Sequence, residues 1–365
     1  MSVKKKRVVV ALSGGVDSST AAAILKEEGH EVIGVSMQLY DHSDPDDRFD
    51  SCCSLKEVDV ARRVSQILDI PYYVLNFEKV FKEKVVDYFV GEYLSARTPN
   101  PCVKCNEEVK FKNLLMKAKE LKADYLATGH YARIHYNRET SEYEVLKAKD
   151  RKKDQSYFLF GLPKKELSYL LFPLGELTKP QVRDIAKRVN LPNADKPESM
   201  EICFIPNNHY VSFIEEKLNG DAGKYSGSIV DQKGEVLGEH DGAFRFTVGQ
   251  RKGIGAFGGE PLYVIDIDST TNTVTVGEKK ALQCRGLIAK QINWLSMPKS
   301  NQVTARIRHS VFEIETELDD SYKDVPSQIQ LTFLTPQRAV TPGQAAVFYE
   351  GERLLGGGFI ERGIH

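Results

Sequence analysis

The sequence predicts an α/β doubly wound parallel sheet followed by a small β-rich domain and a C-terminal β-barrel, and three observations carry that prediction. Through the first two hundred positions, apolar runs of strand length alternate with helical spacings, the pattern of parallel strands joined by crossover helices. Beyond about residue 208 the period shortens to two, with Gly, Asp-Asp and Pro-Gly punctuation, as in short strands that close on themselves. The 365 residues suffice for two or three domains at about 100–200 residues each.

In order, residues 7–12 form a β-branched run that reads as the first strand, and an Ala-rich helical stretch at 18–28 follows a Gly turn. Strand 31–39, helix 58–68, strand 72–76 and helix 80–94 come next, then helix 109–121, strand 124–128 and helix 179–189. Helical spacing continues through 209–218 and gives way to strands at 228–230, 242–247, 262–267, 273–276, 303–308, 312–318, 328–333 and 345–349. The domains are expected at 1–207, 208–280 and 281–365.

Hydrophobic residues make up 41 % and charged residues 28 % of the chain, an ordinary globular composition. No apolar run approaches the ~20 residues of a membrane span. The basic start, residues 1–7, leads into an apolar run too short for a secretory signal, so a cytoplasmic protein without a membrane partner is expected. Its six cysteines then belong to a reducing compartment, where cysteines bind metal or do chemistry. A formal net charge of −1 does not advertise nucleic acid, since such domains are usually basic; any RNA site must be a local patch.

Between the first strand and helix lies Ala11-Leu12-Ser13-Gly14-Gly15-Val16-Asp17-Ser18. The glycines let the backbone turn sharply and approach a ligand, and the helix start offers free N–H groups and the positive end of its dipole to an anion. The Gly-Lys-Ser/Thr ending of a Walker loop is missing, and so is its phosphate-binding lysine. The G-x-G-x-x-G spacing of a dinucleotide fold is missing too. Asp17 is suited to hold Mg²⁺ or to cap the helix. A plain strand–helix turn is the alternative. The Ser-Gly-Gly-Val-Asp-Ser string resembles the pyrophosphate loop of the ATP pyrophosphatases, which cleave ATP between the α- and β-phosphates and adenylate a substrate.

Asn100-Pro101-Cys102-Val103-Lys104-Cys105 lies between two helical stretches. The prolines favour a rigid turn there, and Cys-x-x-Cys suits metal ligation, a redox pair or a nucleophile with a helper. Cys105 would immediately precede a helix over 106–121, where thiolate is favoured. Cys203 lies just before the change of pattern. Cys52 and Cys53 read as ordinary loop or core thiols, and Cys284 as a core residue. A structural zinc site would need a fourth ligand such as His209.

Together with the loop come Pro-Asn-Pro-x-x-x-Cys105-Asn106, Ala127-Thr-Gly-His-Tyr-Ala-Arg133, Lys153-Asp-Gln-Ser-Tyr-Phe158, Glu201-Ile-Cys-Phe-Ile205, Thr247-Val-Gly-Gln-Arg-Lys-Gly253 and Ala339-Val-Thr-Pro-Gly-Gln344. In this order they resemble the tRNA-specific 2-thiouridylases over nearly the whole chain. The resemblance implies that Ala11 to Ser18, Met37 and Gly129 bind ATP, with Cys105 as nucleophile and Cys203 as persulfide carrier. Cys102 departs from the better-known members, which place Asp there. That departure raises a rival in which Cys102, Cys105 and Cys203 hold a 4Fe–4S cluster with one open iron.

The same resemblance places tRNA contacts at Asn100, Pro101, His130, Lys153, Asp154, Gln155, Arg308, His309 and Gln344. Residues 147–153 carry a local charge of +4, and Arg306, Arg308 and His309 would alternate along a strand to meet phosphates. The implied substrates are tRNAs for Lys, Glu and Gln. The implied donor is a cysteine desulfurase or a sulfur-relay protein. Two other classes compete: an amide-forming ATP pyrophosphatase ligase, and a non-catalytic RNA-binding protein.

Overall fold

The computed structural model describes residues 5–40, 55–198, 202–205, 209–255, 261–324 and 327–365. They fall into two compact units. The first is Met1–Val85 with Cys102–Asn208 and Glu352–Leu354; the second is Val86–Pro101 with His209–Gly351 and Leu355–His365.

The first unit contains β1 (Arg7–Ala11), α1 (Val16–Glu27), β2 (Glu31–Gln38), α2 (Leu55–Ile67), β3 (Tyr72–Asn76), β4 (Tyr125–Ala127), β5 (Ala132–Asn137), β6 (Glu142–Lys147) and β7 (Leu170–Leu171). Five strands form a sheet in the order β3-β2-β1-β4-β7, every neighbouring pair parallel. Val8, Val9 and Val10 of the central strand are 0 % exposed. A parallel strand covered on both faces needs such an unbroken β-branched run, and each buried side chain contributes about 1.5–3 kcal/mol. From β1 the chain moves outward to β2 and β3, then crosses back to β4 and β7. The gap between the carboxyl ends of β1 and β4 is therefore a topological switch point, where sheets of this kind bind ligands.

α1 is Ala-rich because it is nearly enclosed: Ser19, Thr20, Ala21 and Ala22 are all 0 % exposed. The helix Lys179–Arg188 packs on it through Val182, which shares a core with Ala21, Tyr131, Ala148 and Leu174. The β5–β6 hairpin was not foreseen; Arg353 and Leu354 pair with its second strand.

One expectation is corrected where the cysteines lie. The rigid turn predicted at 99–105 is instead the start of a helix. Helical structure runs from Pro101–Lys104 through a π-helical Cys105–Leu114 to Leu115–Glu120. Proline is favoured as the first residue of a helix, because its missing N–H has no partner there anyway.

The second unit holds β8 (Gly227–Val230), β9 (Val236–His240), β10 (Tyr263–Asp268), β11 (Thr273–Gly277), β12 (Gln283–Trp294), β13 (Gln302–Arg306), β14 (Ile314–Leu318), β15 (Gln328–Arg338), β16 (Ala345–Glu350) and β17 (Arg353–Ile364). A four-stranded sheet, β10-β11-β8-β9, encloses Ile229, Phe246, Val264, Val274 and Val276. The order β12-β15-β14-β13-β16-β17, closed by β12 on β17, makes a six-stranded barrel around Leu287, Trp294, Leu331, Phe348 and Ile360. The expected strand at 242–247 is a 3₁₀ turn, Ala243–Arg245. The helices Asp87–Leu94 and Tyr210–Lys217 stack Tyr93 on Tyr210 at 4.5 Å. No helix among the described residues is long and apolar enough to cross a membrane.

Candidate active site

The loop leaves β1 at the switch point. Gly14 adopts φ +74°, which disfavours a side chain, and a Cβ there would also run into Glu57. Ser18 fixes the turn: its Oγ accepts the Ser13 N–H at 3.1 Å and donates to the Gly15 carbonyl at 3.1 Å. Asn193 ties the loop from outside, donating to the Gly14 carbonyl at 2.8 Å and to Ser19 Oγ at 2.9 Å. Gly15 is the N-cap of α1, and no side chain caps the helix. Its first amides and dipole are thus left for an anion. Leu12 in the loop and Met37 near the end of β2 are buried, and Ala11 ends β1.

Gly129 comes from the carboxyl end of β4. A Cβ on it would stand 2.6 Å from the Ser18 nitrogen and 2.7 Å from the Asp17 carbonyl carbon, so the chain after β4 lies directly against the first turn of α1. The predicted ATP residues Ala11 to Ser18 and Gly129 are therefore brought together, as their place at two adjacent strand ends requires.

Asp17 is held by side chains far from it in the chain. Lys179 Nζ donates to both its oxygens, at 2.7 and 2.9 Å, and the Tyr131 hydroxyl donates to Oδ1 at 2.9 Å. Lys179 also pairs with Glu198 at 2.7 Å, and Glu198 with Lys153 at 2.5 Å. Burial works to raise the Glu198 carboxyl, but hydrogen bonds from Lys153 and Lys179 outweigh it and leave the group lowered.

The thiols sit on anchored segments. Val103, Val109, Phe111 and Leu114 bury one side of the helix from Pro101, leaving Cys102 exposed and Cys105 partly exposed. Cys105, expected immediately before a helix, lies one turn inside it, and Cys102 occupies the first turn. Phe204 and Ile205 are buried next to Cys203, whose Sγ lies 3.8 Å from the Tyr40 hydroxyl. Cys284 is buried in the barrel core as expected. Cys52 and Cys53 lie outside the described residues. No three Cys, His, Asp or Glu side chains among the described residues are grouped to hold a metal. As placed, Cys102, Cys105 and Cys203 are not grouped as the ligands of a 4Fe–4S cluster.

Of the RNA-contact candidates, His130, Lys153, Asp154 and Gln155 belong to the first unit. His130 Nδ1 is 2.7 Å from Thr128 Oγ1, and its ring lies among Phe111 and Phe172. Burial, then the charge of Lys110, pushes the imidazole well below its ordinary value, so it is neutral at pH 7. The sign follows: below about pH 6.5 the unfolded chain takes up a proton that the folded chain refuses. Stability should therefore fall as pH drops through 6.5, by up to about 1.4 kcal/mol per unit, and His130→Asn should flatten that slope in denaturant titrations at pH 7.5, 6.5 and 5.5.

The Asp154 carboxylate is buried and accepts the Ala148 and Ser156 amides at 3.0 and 3.3 Å, and Gln155 Oε1 accepts the Tyr131 amide at 2.9 Å. Both side chains hold this loop in shape. The basic run is less exposed than expected: Lys147 is buried at the end of β6, and Arg151 pairs with Glu352.

In the second unit, Gln344 donates to the Thr98 and Pro99 carbonyls at 3.0 and 3.4 Å, two residues and one residue before Asn100. Arg308 and His309 are exposed beyond β13. Arg306 is not: it is buried, pairs with Glu313 at 2.8 Å and lies over Tyr349. The strand expected to carry 306, 308 and 309 ends at Arg306, whose buried side chain is turned away from any phosphate that Arg308 and His309 could meet.

A parallel sheet whose first strand opens on a Ser-Gly-Gly loop, with an uncapped helix at the switch point, defines a nucleotide-binding domain of the pyrophosphate-loop kind. Three family models match in order: a "tRNA methyl transferase HUP domain" over residues 6–207, a "tRNA methyl transferase PRC-barrel domain" over 212–278 and an "Aminomethyltransferase beta-barrel domain" over 284–360. The chain is 50 % identical over 368 residues to the tRNA-specific 2-thiouridylase MnmA of Geotalea uraniireducens (strain Rf4), covering 99 % of this chain and 96 % of that protein. It is 48 % identical over 365 residues to the protein of that name from Geobacter metallireducens, covering 98 % and 97 %. The chain belongs to the tRNA-specific 2-thiouridylase family.

Proposed function

We propose that this enzyme is a tRNA-uridine 2-sulfurtransferase that adenylates the C2 carbonyl of the wobble uridine with ATP and replaces its oxygen with sulfur. The observation that supports this reading best is one unit carrying both the uncapped loop and the Cys105 and Cys203 thiols. A uracil carbonyl oxygen is a poor leaving group; once adenylated it departs with AMP. The loop amides and the start of α1 offset charge as pyrophosphate leaves. Asp17 fits as a single hard-oxygen ligand for Mg²⁺ bound to the phosphates. That ion would neutralise phosphate charge.

In the sulfur step, the terminal sulfur of a Cys203 persulfide bonds to C2 and AMP leaves with the former oxygen. Cys105 then attacks the Cys203 sulfur, the persulfide S–S bond breaks, thiouridine departs, and a Cys105–Cys203 disulfide remains for a thiol reductant. A cysteine desulfurase or relay protein would reload Cys203. Residues 1–207 would do the chemistry, while 208–280 and 281–365 would hold the anticodon stem-loop of tRNAs for Lys, Glu and Gln, in the cytoplasm. The base must be flipped outward to be reached. Asn100, Pro101, His130, Lys153, Arg308, His309 and Gln344 are the proposed contacts, with Asp154 and Gln155 shaping the loop that bears Lys153.

ATP–pyrophosphate exchange that requires added tRNA is the expected result. Exchange driven by a small molecule without tRNA would favour an amide-forming ligase instead. Anaerobic purification is expected to give an iron-free protein that thiolates fully once Cys203 is loaded with sulfur; activity that rises with bound iron and sulfide would reverse this.

A further inference from the structure

The loop lacks a lysine of its own, yet an ammonium stands at its edge. We propose that Lys179, supplied from a helix 162 residues beyond Asp17, is the cation that binds the pyrophosphate arm of ATP. This rests on the reading of the loop as an ATP site.

Three observations support it. First, Lys179 Nζ is within 2.9 Å of both Asp17 oxygens, and Asp17 lies in the first turn of α1, whose amides await an anion. Second, the lysine's backbone is pinned independently of its ammonium. Thr178 forms a capping box with Gln181, and the Lys179 amide donates to Asp150 Oδ2 at 3.0 Å. The Lys179 side chain is 9 % exposed, so the ammonium is delivered into the site by a fixed stem.

Third, the charges around it suit an exchange. Lys179 is shared by two carboxylates, Asp17 and Glu198, each 30 % exposed. Without the ammonium, both would face an incoming polyphosphate. With it, one carboxylate can yield its place to phosphate oxygen and remain in water. A pair built only for stability gains little from partners that solvent already reaches. Lys153 reaches the site only through Glu198, and Lys196 pairs with Glu57, the residue packed against Gly14.

The test is equilibrium binding of inorganic pyrophosphate and of AMP to the full-length wild type and to Lys179→Gln, Lys179→Arg and Lys196→Gln. Lys179→Gln should weaken pyrophosphate by about 10–100-fold, the scale of a lost charge-assisted hydrogen bond, and leave AMP within about twofold. Lys179→Arg should recover most of the pyrophosphate affinity, and the ATP KM in exchange should follow the same order. The assignment is overturned if Lys179→Gln binds pyrophosphate like wild type, or if Lys196→Gln loses it instead. It is overturned equally if both Lys179 variants lose AMP along with pyrophosphate, since Lys179 is then a prop of the fold. A wild type that binds neither ATP nor pyrophosphate would sink the ATP reading itself, an outcome visible before any variant is made.

Discussion

Cys203→Ser and Cys105→Ser are each expected to cut 2-thiouridine formation by at least about 10³-fold, the scale on which enzymes lose a nucleophile, with tRNA-dependent pyrophosphate exchange within about twofold of wild type. The split follows from where the groups lie. Adenylation uses the loop, α1 and Gly129, and no thiol belongs to that set. Sulfur transfer needs a sulfur on Cys203 to carry the terminal atom and a second thiol to break the persulfide bond; an alkoxide at either position does neither. Serine is close in size, and Cys105 and Cys203 are partly exposed, so folding should survive. Cys102→Ser separates the two sulfur chemistries. In the persulfide route Cys102 breaks no bond, and its thiol is exposed in the first helical turn, so that variant should keep most of its activity. Loss as complete as for Cys203 would revive cluster ligation by three cysteines. The readout is mass spectrometry of nucleosides from the treated tRNA, beside exchange of labelled pyrophosphate.

The parallel sheet and the glycine loop were legible in the sequence because each is a local signal. A strand buried on both faces must be an apolar run, as 8–10 are, and a loop that turns under an anion must spend glycines. The barrel strands β12 and β17 were not legible, for a physical reason. Both are twelve residues long, but bulges at Ile288/Ala289 and Lys290/Asn293 break their period of two. β17 runs through Gly356-Gly357-Gly358, which reads as a loop. Close approach of the partner strand requires those glycines: a Cβ on Gly358 would lie 2.6 Å from the Lys290 carbonyl oxygen. The β5–β6 hairpin was hidden because Arg133, His135 and Asn137 leave its outer face polar, with Ala132 and Val145 buried beneath.

The candidate site divides the same way. Cys105, Cys203, Gly129 and the loop carry recognisable strings. Lys179 does not, because its link to Asp17 exists only once the helix Lys179–Arg188 has packed on α1. A lysine beside Pro180, just after a capping threonine, reads as nothing more than a helix start. Cys105 lies one turn deeper in the helix than the prolines suggest, because a first-turn proline is the one place a helix welcomes it.

Gly129→Ala tests the adenylation half of the reaction at its tightest contact. A Cβ 2.6 Å from the Ser18 nitrogen and 2.7 Å from the Asp17 carbonyl carbon meets backbone on both counts, so no side chain can swing aside. Either the chain after β4 retreats or the first turn of α1 does. Forcing such a shift costs about 1–3 kcal/mol, read as a lower melting temperature by on the order of 2–10 °C. Any part of that cost taken up by moving α1 displaces the amides that await phosphate, and each 1.4 kcal/mol of lost binding is about tenfold in ATP affinity. The comparison is Gly91→Ala, in the helix Asp87–Leu94, where a new Cβ meets nothing within 4 Å and should stabilise by about 0.5–1 kcal/mol. Both variants add one methyl group, and only one of them does so against the loop. If Gly129→Ala melts and binds ATP like wild type, the chain after β4 does not brace the nucleotide site, and Gly129 has no claim to a place in it.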